Sequence, residues 1–296
     1  MTNLLRNLIA LIRPKQMPKN LLIIVPIVIS GEIKSLATNY PQLLQLLYIL
    51  MSFFFASSIV YIFNDLMDRE TDSRNPKRSH RPIASGEVKP KVAIFLMLVL
   101  GATLTLISLR ISATIFQLVF LYLSINLLYS IKLKEIQYWE LMAVSSGYIL
   151  RVLAGTVLVS QRPSLEFFTF ILFFALAVVT SKRLSEVQVM NTFCRKVLSY
   201  YTSESLKVVF TLCISLSSLA YTSFVIKLTT MKNTPFGFDA IAVFSLVVLL
   251  VIFFRFVTLT MDGMVHSPEE LLIEDRFLQI NVFCFSLLMC LVGILR

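Results

Sequence analysis

Apolar runs of roughly 20 residues recur along almost the whole chain, the length at which an α-helix crosses the hydrocarbon core of a bilayer. Read against that length, the pattern predicts nine spans, at 20–36, 43–66, 89–109, 113–131, 138–159, 165–184, 205–228, 238–258 and 276–295. Ahead of them, Leu4, Leu5, Leu8, Ile9, Leu11 and Ile12 alternate at helical spacing with Asn3, Arg6, Asn7 and Arg13. That amphipathic spacing predicts a short helix lying in the membrane interface, ended by Pro14. The fold expected is all-α: a polytopic membrane bundle of about nine helices. Residues 1–296 are expected to form a single integral membrane domain, with 1–14 as the interfacial N-terminal helix. Arg6, Arg13, Pro14, Lys15 and Pro18 interrupt the start and no small-residue cleavage site follows, so no targeting peptide is predicted.

The connections between spans alternate in character. Those at 67–88, 132–137, 185–204 and 259–275 are charged and mostly long; those at 37–42, 110–112, 160–164 and 229–237 are short and nearly uncharged. Of the 27 Lys and Arg, 20 fall on the side of the N-terminus and the charged loops. The positive-inside rule then places that side in the cytoplasm, in a cytoplasmic (inner) membrane, with the C-terminus outside. The acids follow the same split, 14 of 17. Spanning the bilayer does not require that concentration of acids, whereas an active site open to the cytoplasm does.

Composition sharpens this reading. With 57% hydrophobic residues and a mean hydropathy of +0.80 the chain is not a soluble domain. Its net charge of +10 follows from membrane topology, so no nucleic acid partner is inferred; the partner is the lipid bilayer, and a homo-oligomer is compatible with the sequence. Cys194, Cys213, Cys284 and Cys290 form no CxxC pair and are expected to be buried, reduced and structural.

The candidate chemistry centres on Asn64 to Gly86, NDLMDRETDSRNPKRSHRPIASG. On a continuous helix Asp65, Asp68 and Asp72 fall within an arc of about 60°, with Asn64 beside it. Three like charges on one face at a membrane boundary are costly unless a cation sits among them. Carboxylate oxygens favour a hard ion, and Mg²⁺ is the usual one when it is shared with a phosphate ligand. Arg74, Lys77, Arg78, His80 and Arg81 follow at once. Carboxylates for a metal beside fixed basic groups suit a diphosphate.

Further clusters stand at later span ends. Tyr129, Lys132, Lys134, Glu135 and Glu140 mark the fourth-to-fifth connection, and Glu140, Gly147 and Arg151 share one stripe of the fifth span. An arginine that deep either serves a site or bridges to a carboxylate of a neighbouring helix. Ser181, Lys182, Arg183 and Glu186 close the sixth span; Lys182 reads equally as a substrate group, a topology anchor or an i,i+4 partner of Glu186. Asp262, before Gly263, is a weaker candidate, and the PEELLIEDR stretch reads as a loop and the capped start of the ninth helix. Neither His80 nor His266 has metal-ligand company, so no zinc is predicted.

These blocks, taken in order, resemble the UbiA-type intramembrane prenyltransferase superfamily across nearly the whole chain. Asn64, Asp65, Asp68 and Asp72 match its aspartate-rich motif, and NPKRSHRPIASG is similar to the basic loop after it. RPKQMPKN at 13–20, YSIKLK at 129–134 with Glu140, SSGYILRVLAG at 145–155, SKR at 181–183 with Glu186 and DG at 262–263 are similar to further blocks. The opening block, the SKR block and the closing block look like the branch that transfers phosphoribosyl groups to polyprenyl phosphates. One departure from the aromatic prenyltransferases fits that branch: Glu140 stands largely alone where those enzymes carry a second aspartate-rich motif.

The resemblance implies transfer of 5-phosphoribose from 5-phosphoribosyl 1-diphosphate (phosphoribosyl diphosphate) to a polyprenyl (decaprenyl-like) phosphate, with release of diphosphate. It implies Mg²⁺ on the catalytic carboxylates Asp65, Asp68 and Asp72. Asn64, Lys77, Arg78 and Arg81 would meet the donor, and Lys19, Lys134, Arg151 and Lys182 the lipid phosphate. Asn20, Tyr129, Glu140 and Arg183 complete the expected substrate-binding set. The alternative is a prenyl transfer from prenyl diphosphate to an aromatic or other lipid acceptor, using the same first motif. A transporter requires polar groups through the whole membrane thickness, and here they gather at one side.

Overall fold

In a computed structural model, residues 2–76, 78–159, 163–188, 196–230, 235–263, 271 and 274–295 are described. The described residues form helices and connecting turns, without a strand. Helix α1 spans Thr2–Ile12, a 3-10 segment Pro14–Ile23, α2 Val25–Ile29, α3 Ile33–Thr38, α4 Tyr40–Met67 and α5 Arg69–Arg74. Then come α6 Pro90–Ile111, α7 Ala113–Ile131, α8 Trp139–Gly155, α9 Leu165–Gln188, α10 Ser203–Thr229, α11 Phe238–Met261 and α12 Arg276–Leu295. Among the described residues, eight helical stretches are long and apolar enough to cross a membrane: α4, α6, α7, α8 with its 3-10 extension to Leu158, and α9 to α12. The protein is an integral membrane protein.

The first expected span is the exception. Hydropathy is high across 20–36, yet the chain there is a 3-10 segment, a single α-helical turn, a bend at Gly31 (φ 79°) and another short helix. Pro14, Pro18 and Pro26 explain this, because each removes a backbone donor and crowds the preceding turn. The segment is held by close backbone contact. A methyl group on Gly155 of α8 would collide with the carbonyl of Ile23, and one on Gly293 of α12 with the carbonyl of Val28. Small residues let backbones meet where lipid offers no hydrophobic drive for helix association.

Apolar packing falls into two large clusters. One joins α1, the 3-10 segment, α2, α4, α6, α7 and α8 through residues such as Ile27, Phe53, Leu100, Val119 and Leu150. The other joins α9 to α12 through Phe170, Phe210, Tyr221, Phe253 and Val292. Helix α8 packs on α9, and α12 on α2, so the N-terminal segment touches both halves.

Helix ends follow local chemistry. Asn39 accepts from the Gln42 N–H at 3.3 Å, Ser112 from Ile115 at 3.2 Å, and Thr202 and Ser205 form a reciprocal capping box. Asp275 caps α12, accepting from Leu278 N–H at 2.8 Å, as the acidic stretch before it predicted. Burial works to raise the Asp275 pKa, but that bond and the Arg255 guanidinium hold it below the usual carboxylate value. Asp262 is exposed at the end of α11 and Gly263 takes the left-handed conformation (φ 71°), which reads as a helix stop. His266, Glu269 and Glu270 lie outside the described residues. Cys213 is buried, whereas Cys284 and Cys290 on α12 are only half-buried; Cys194 lies outside the described residues.

Candidate active site

Helix α4 ends one residue before Asp68, and α5 starts one residue after it. The three aspartates therefore do not share one continuous helical face. Asp68 sits in the break (φ −92°, ψ 7°) while Asp65 and Asp72 turn inward, 3% and 2% exposed. The loop after α5 folds back over them. Ile83 and Val88 are buried, the Val88 N–H donates to Pro82 O at 2.8 Å, and Gly86 (φ 82°) makes the turn. That return puts Arg81 Nη1 3.0 Å from Asp65 Oδ1 and 2.6 Å from Asp72 Oδ2, with Arg78 3.5 Å from Asp72. Asp68 instead accepts from Lys134 Nζ at 2.6 Å; that lysine lies in the 3-10 turn Leu133–Glu135 after α7.

A fourth cation was not expected at the aspartates. Arg13 Nη2 donates to Asp65 Oδ1 at 2.5 Å, and its guanidinium lies 4.9 Å from the centre of the Tyr61 ring. Its backbone is left-handed (φ 53°, ψ 62°), the corner at which α1 turns into the 3-10 segment. Ser58 Oγ donates to Ile12 O at 3.1 Å beside it. The signal was present in RPKQMPKN, but amphipathic spacing assigned Arg13 to the polar face of the interfacial helix. Between α1 and the loop lies a cavity of about 820 Å³. Arg6, Arg13, Asp65, Arg81 and Glu87 are its charged walls, with Asn7 and His80 beside them.

Two carboxylate oxygens converging on the single nitrogen of Arg81 define a position for positive charge. The donor set is all oxygen and suits a hard divalent ion that takes its remaining ligands from water and phosphate. The fit is to two carboxylates, Asp65 and Asp72. Among the described residues no three acidic, imidazole or thiol groups are placed to hold one ion.

Deeper in the bundle Arg151 is 5% exposed. Its Nε donates to Asn20 Oδ1 at 2.7 Å, Nη1 to Gly147 O at 2.7 Å, and Nη2 to Ser57 Oγ at 3.0 Å and Tyr122 OH at 3.1 Å. The carboxylate bridge left open by the sequence is not formed: every partner is uncharged, and the face of Tyr122 lies 4.8 Å away. Gly147 leaves the room this needs, since a Cβ there would come within 3.3 Å of both Arg151 and Tyr122.

Glu140 and Arg183, expected against substrate, face each other. Helix α9 runs to Gln188, a turn beyond the expected end, and carries Arg183 inside the bundle. Arg183 Nε donates to both Glu140 oxygens, at 2.7 and 2.9 Å, and Nη1 to Glu186 Oε2 at 2.8 Å. Glu140 stands in the first turn of α8, where the helix dipole favours a carboxylate. Nearby, Tyr138 N–H donates to Tyr201 OH at 2.8 Å, and burial pushes that phenol up to about 12. Lys19, Asn64, Tyr129 and Lys182 are half-buried and Asn20 is buried; Lys77 lies outside the described residues.

Acidic and basic side chains from four chain segments thus meet at one end of a membrane helix bundle, the arrangement of an intramembrane enzyme for phosphorylated substrates. The profile of the UbiA prenyltransferase family matches residues 24–265, and the chain belongs to that family. It is similar to decaprenyl-phosphate phosphoribosyltransferase of Mycobacterium tuberculosis H37Rv, 29% identical over 94% of this chain and 91% of that protein. The namesake proteins of Mycolicibacterium smegmatis (28% identical; 94% and 89% covered) and Corynebacterium glutamicum (26%; 95% and 86%) are similar too. Among solved structures, a UbiA homolog from Archaeoglobus fulgidus bound to GPP and Mg²⁺ superposes with a TM-score of 0.74. It is 15% identical, with 97% of this chain and 99% of that one covered, which establishes the shared fold.

Proposed function

We propose that this protein transfers 5-phosphoribose from phosphoribosyl diphosphate to a polyprenyl phosphate at the cytoplasmic face of the membrane. The observation that carries the reading is the excess of cations at the aspartates. Arg13, Arg78, Arg81 and Lys134 surround Asp65, Asp68 and Asp72, more positive charge than the carboxylates need. Such a surplus suits two phosphorylated substrates better than one diphosphate and a neutral acceptor. The phosphoribosyltransferase names of three relatives that align with most of this chain point the same way.

In the reaction, the bond from ribose C1 to the diphosphate oxygen breaks and a bond from C1 to a lipid phosphate oxygen forms. Asp65 and Asp72, with Asp68 beside them, would hold Mg²⁺, which would supply neutralisation of the departing diphosphate. Arg81 and Arg78, now on the carboxylates, turn to diphosphate or 5-phosphate oxygens when the donor enters. Asn64 orients a carboxylate or meets the ribose. Positive character at C1 is favoured by the fixed carboxylates nearby. Lys19, Lys134 and Lys182 hold the lipid phosphate, which is already anionic, so no general base is required. The isoprenoid tail lies between helices, open to the bilayer.

The test is a two-donor assay on purified protein in detergent with Mg²⁺. Labelled phosphoribosyl diphosphate with polyprenyl phosphate is expected to give a labelled lipid, and labelled prenyl diphosphate with aromatic acids none. Product from the second mixture alone overturns the reading in favour of prenyl transfer.

A further inference from the structure

The polar face of α1 turns toward the loop after α5. Arg6, Ala10 and, just past the helix end, Arg13 recur at i, i+4 and i+7, which is one helical face, and all three line the cavity of about 820 Å³ beside Asp65. Leu11 of the same helix is buried, while Leu5 and Ile9 are exposed on its apolar side, so packing fixes this orientation. The facing wall is the loop, with His80, Arg81 and Glu87. Two of the cations are already committed: Arg13 and Arg81 both donate to Asp65 Oδ1, at 2.5 and 3.0 Å. Arg6 and His80 are exposed, and among the described residues neither side chain has a hydrogen-bond or ion-pair partner. Arg6 stands seven residues before Arg13, about 10 Å along the axis of α1. The cavity thus offers one anion position at Asp65 and its arginines, and a second further along the helix.

We propose that Arg6 and His80 form a second phosphate subsite, which takes the 5-phosphate of the donor while its 1-diphosphate lies at Asp65. The inference rests on the phosphoribosyl reading and adds to it the groups that tell the two donors apart. Phosphoribosyl diphosphate carries phosphate at both ends of a ribose, which bridges two separated cation positions. A prenyl diphosphate carries phosphate at one end and hydrocarbon at the other, and that hydrocarbon would desolvate Arg6 and Glu87 without pairing them. The guanidinium of Arg6 presents a planar fork of N–H donors that matches phosphate oxygens. The imidazole of His80 donates an N–H whether neutral or charged. Glu87, on the same wall, repels phosphate and suits the ribose hydroxyls between the two ends. The volume lies within the roughly 300–1,000 Å³ of small-molecule clefts. On this view α1 is a wall of the donor site, and Arg6 and His80 are specificity-determining residues.

The experiment measures dissociation constants on the full-length protein in detergent with Mg²⁺, using phosphoribosyl diphosphate, ribose 5-phosphate and inorganic diphosphate as probes. Wild type is compared with Arg6→Ala and His80→Ala. Arg6→Ala is expected to weaken phosphoribosyl diphosphate and ribose 5-phosphate by about 10-fold or more, the loss of a hydrogen bond to a charged group. His80→Ala is expected to give the same pattern with a smaller factor. Inorganic diphosphate is expected to bind both variants as it binds wild type, which also shows that the site is folded. Equal weakening of all three probes overturns the proposal, because it makes these residues general supports of the site. Unchanged binding of phosphoribosyl diphosphate in either variant overturns it too. If wild type consumes phosphoribosyl diphosphate while the variants bind it normally, the subsite alone falls. If wild type binds inorganic diphosphate but not phosphoribosyl diphosphate, the phosphoribosyl reading falls and the subsite with it.

Discussion

The guanidinium of Arg13 lies 2.5 Å from the carboxylate of Asp65, joining the end of α1 to the last turn of α4. Asp65 is 3% exposed and holds Arg81 as well, so Arg13 both shields it and sets its charge balance. Arg13→Ala is expected to lower kcat/KM for phosphoribosyl diphosphate about 10- to 100-fold, or roughly 1.4 to 2.7 kcal/mol of transition-state stabilisation. Arg13→Lys is expected to recover only part of this, because one ammonium replaces a planar fork. Steady-state kinetics with the donor varied checks both.

Lys134 and Asp68 are 66 residues apart in sequence and 2.6 Å apart in space. Each single variant, Asp68→Asn or Lys134→Met, is expected to reduce activity. In a double-mutant cycle their effects are expected to fall short of additivity by about 0.5–3 kcal/mol. Asp65→Asn and Asp72→Asn are expected to be more severe than Asp68→Asn, since those two carboxylates share one cation position. Chelation of divalent metal is expected to abolish turnover, and added Mg²⁺ to restore it.

Arg151→Met keeps the bulk of the side chain and removes its donors. Asn20, Ser57, Tyr122 and the Gly147 carbonyl then lose their shared partner inside the bundle. Each buried group left unsatisfied costs about 1–3 kcal/mol. The expected outcome is a clear fall in melting temperature together with loss of activity, because Asn20 anchors the segment that carries Arg13 and Lys19. Thermal melts in detergent beside the two-donor assay measure both effects.

Gly155→Ala and Gly293→Ala are expected to destabilise by about 1–3 kcal/mol or more, as overpacking against backbone does. Gly101, in the middle of α6, has nothing within 4 Å of where a Cβ would stand. Gly101→Ala is therefore expected to be neutral or to stabilise by up to about 1 kcal/mol through helix propensity. Parallel melting curves of the three variants check the contrast.

Much of this architecture is legible in the chain. The long spans announce themselves because a bilayer imposes length and apolarity on any helix that crosses it, and eight of the nine expected spans are long helices. The first expected span is broken in the structure: hydropathy carries no record of hydrogen bonding, and Pro18 and Pro26 interrupt the backbone ladder there. Asp65 and Asp72 were visible as one motif, but the break at Asp68 depends on where α5 docks. The Glu140–Arg183 pair joins residues 43 apart on two helices, and spacing within one helix says nothing of such a partner. For Arg151 the sequence offered a substrate phosphate or a carboxylate; the neutral cage around it is assembled from three other segments.

The backbone seats at Gly155 and Gly293 have a consequence for biosynthesis. The segment from Pro14 to Thr38 leaves the ribosome long before α8 and α12, yet its carbonyls rest against both. Early in translation it has α4 to pack on but neither of these two seats. The proline-rich stretch is too broken to form a long apolar helix by itself, and its seats exist only once α8 and α12 have been made. Truncation before α12 would therefore loosen the opposite end of the chain, and with it the arginine that reaches Asp65.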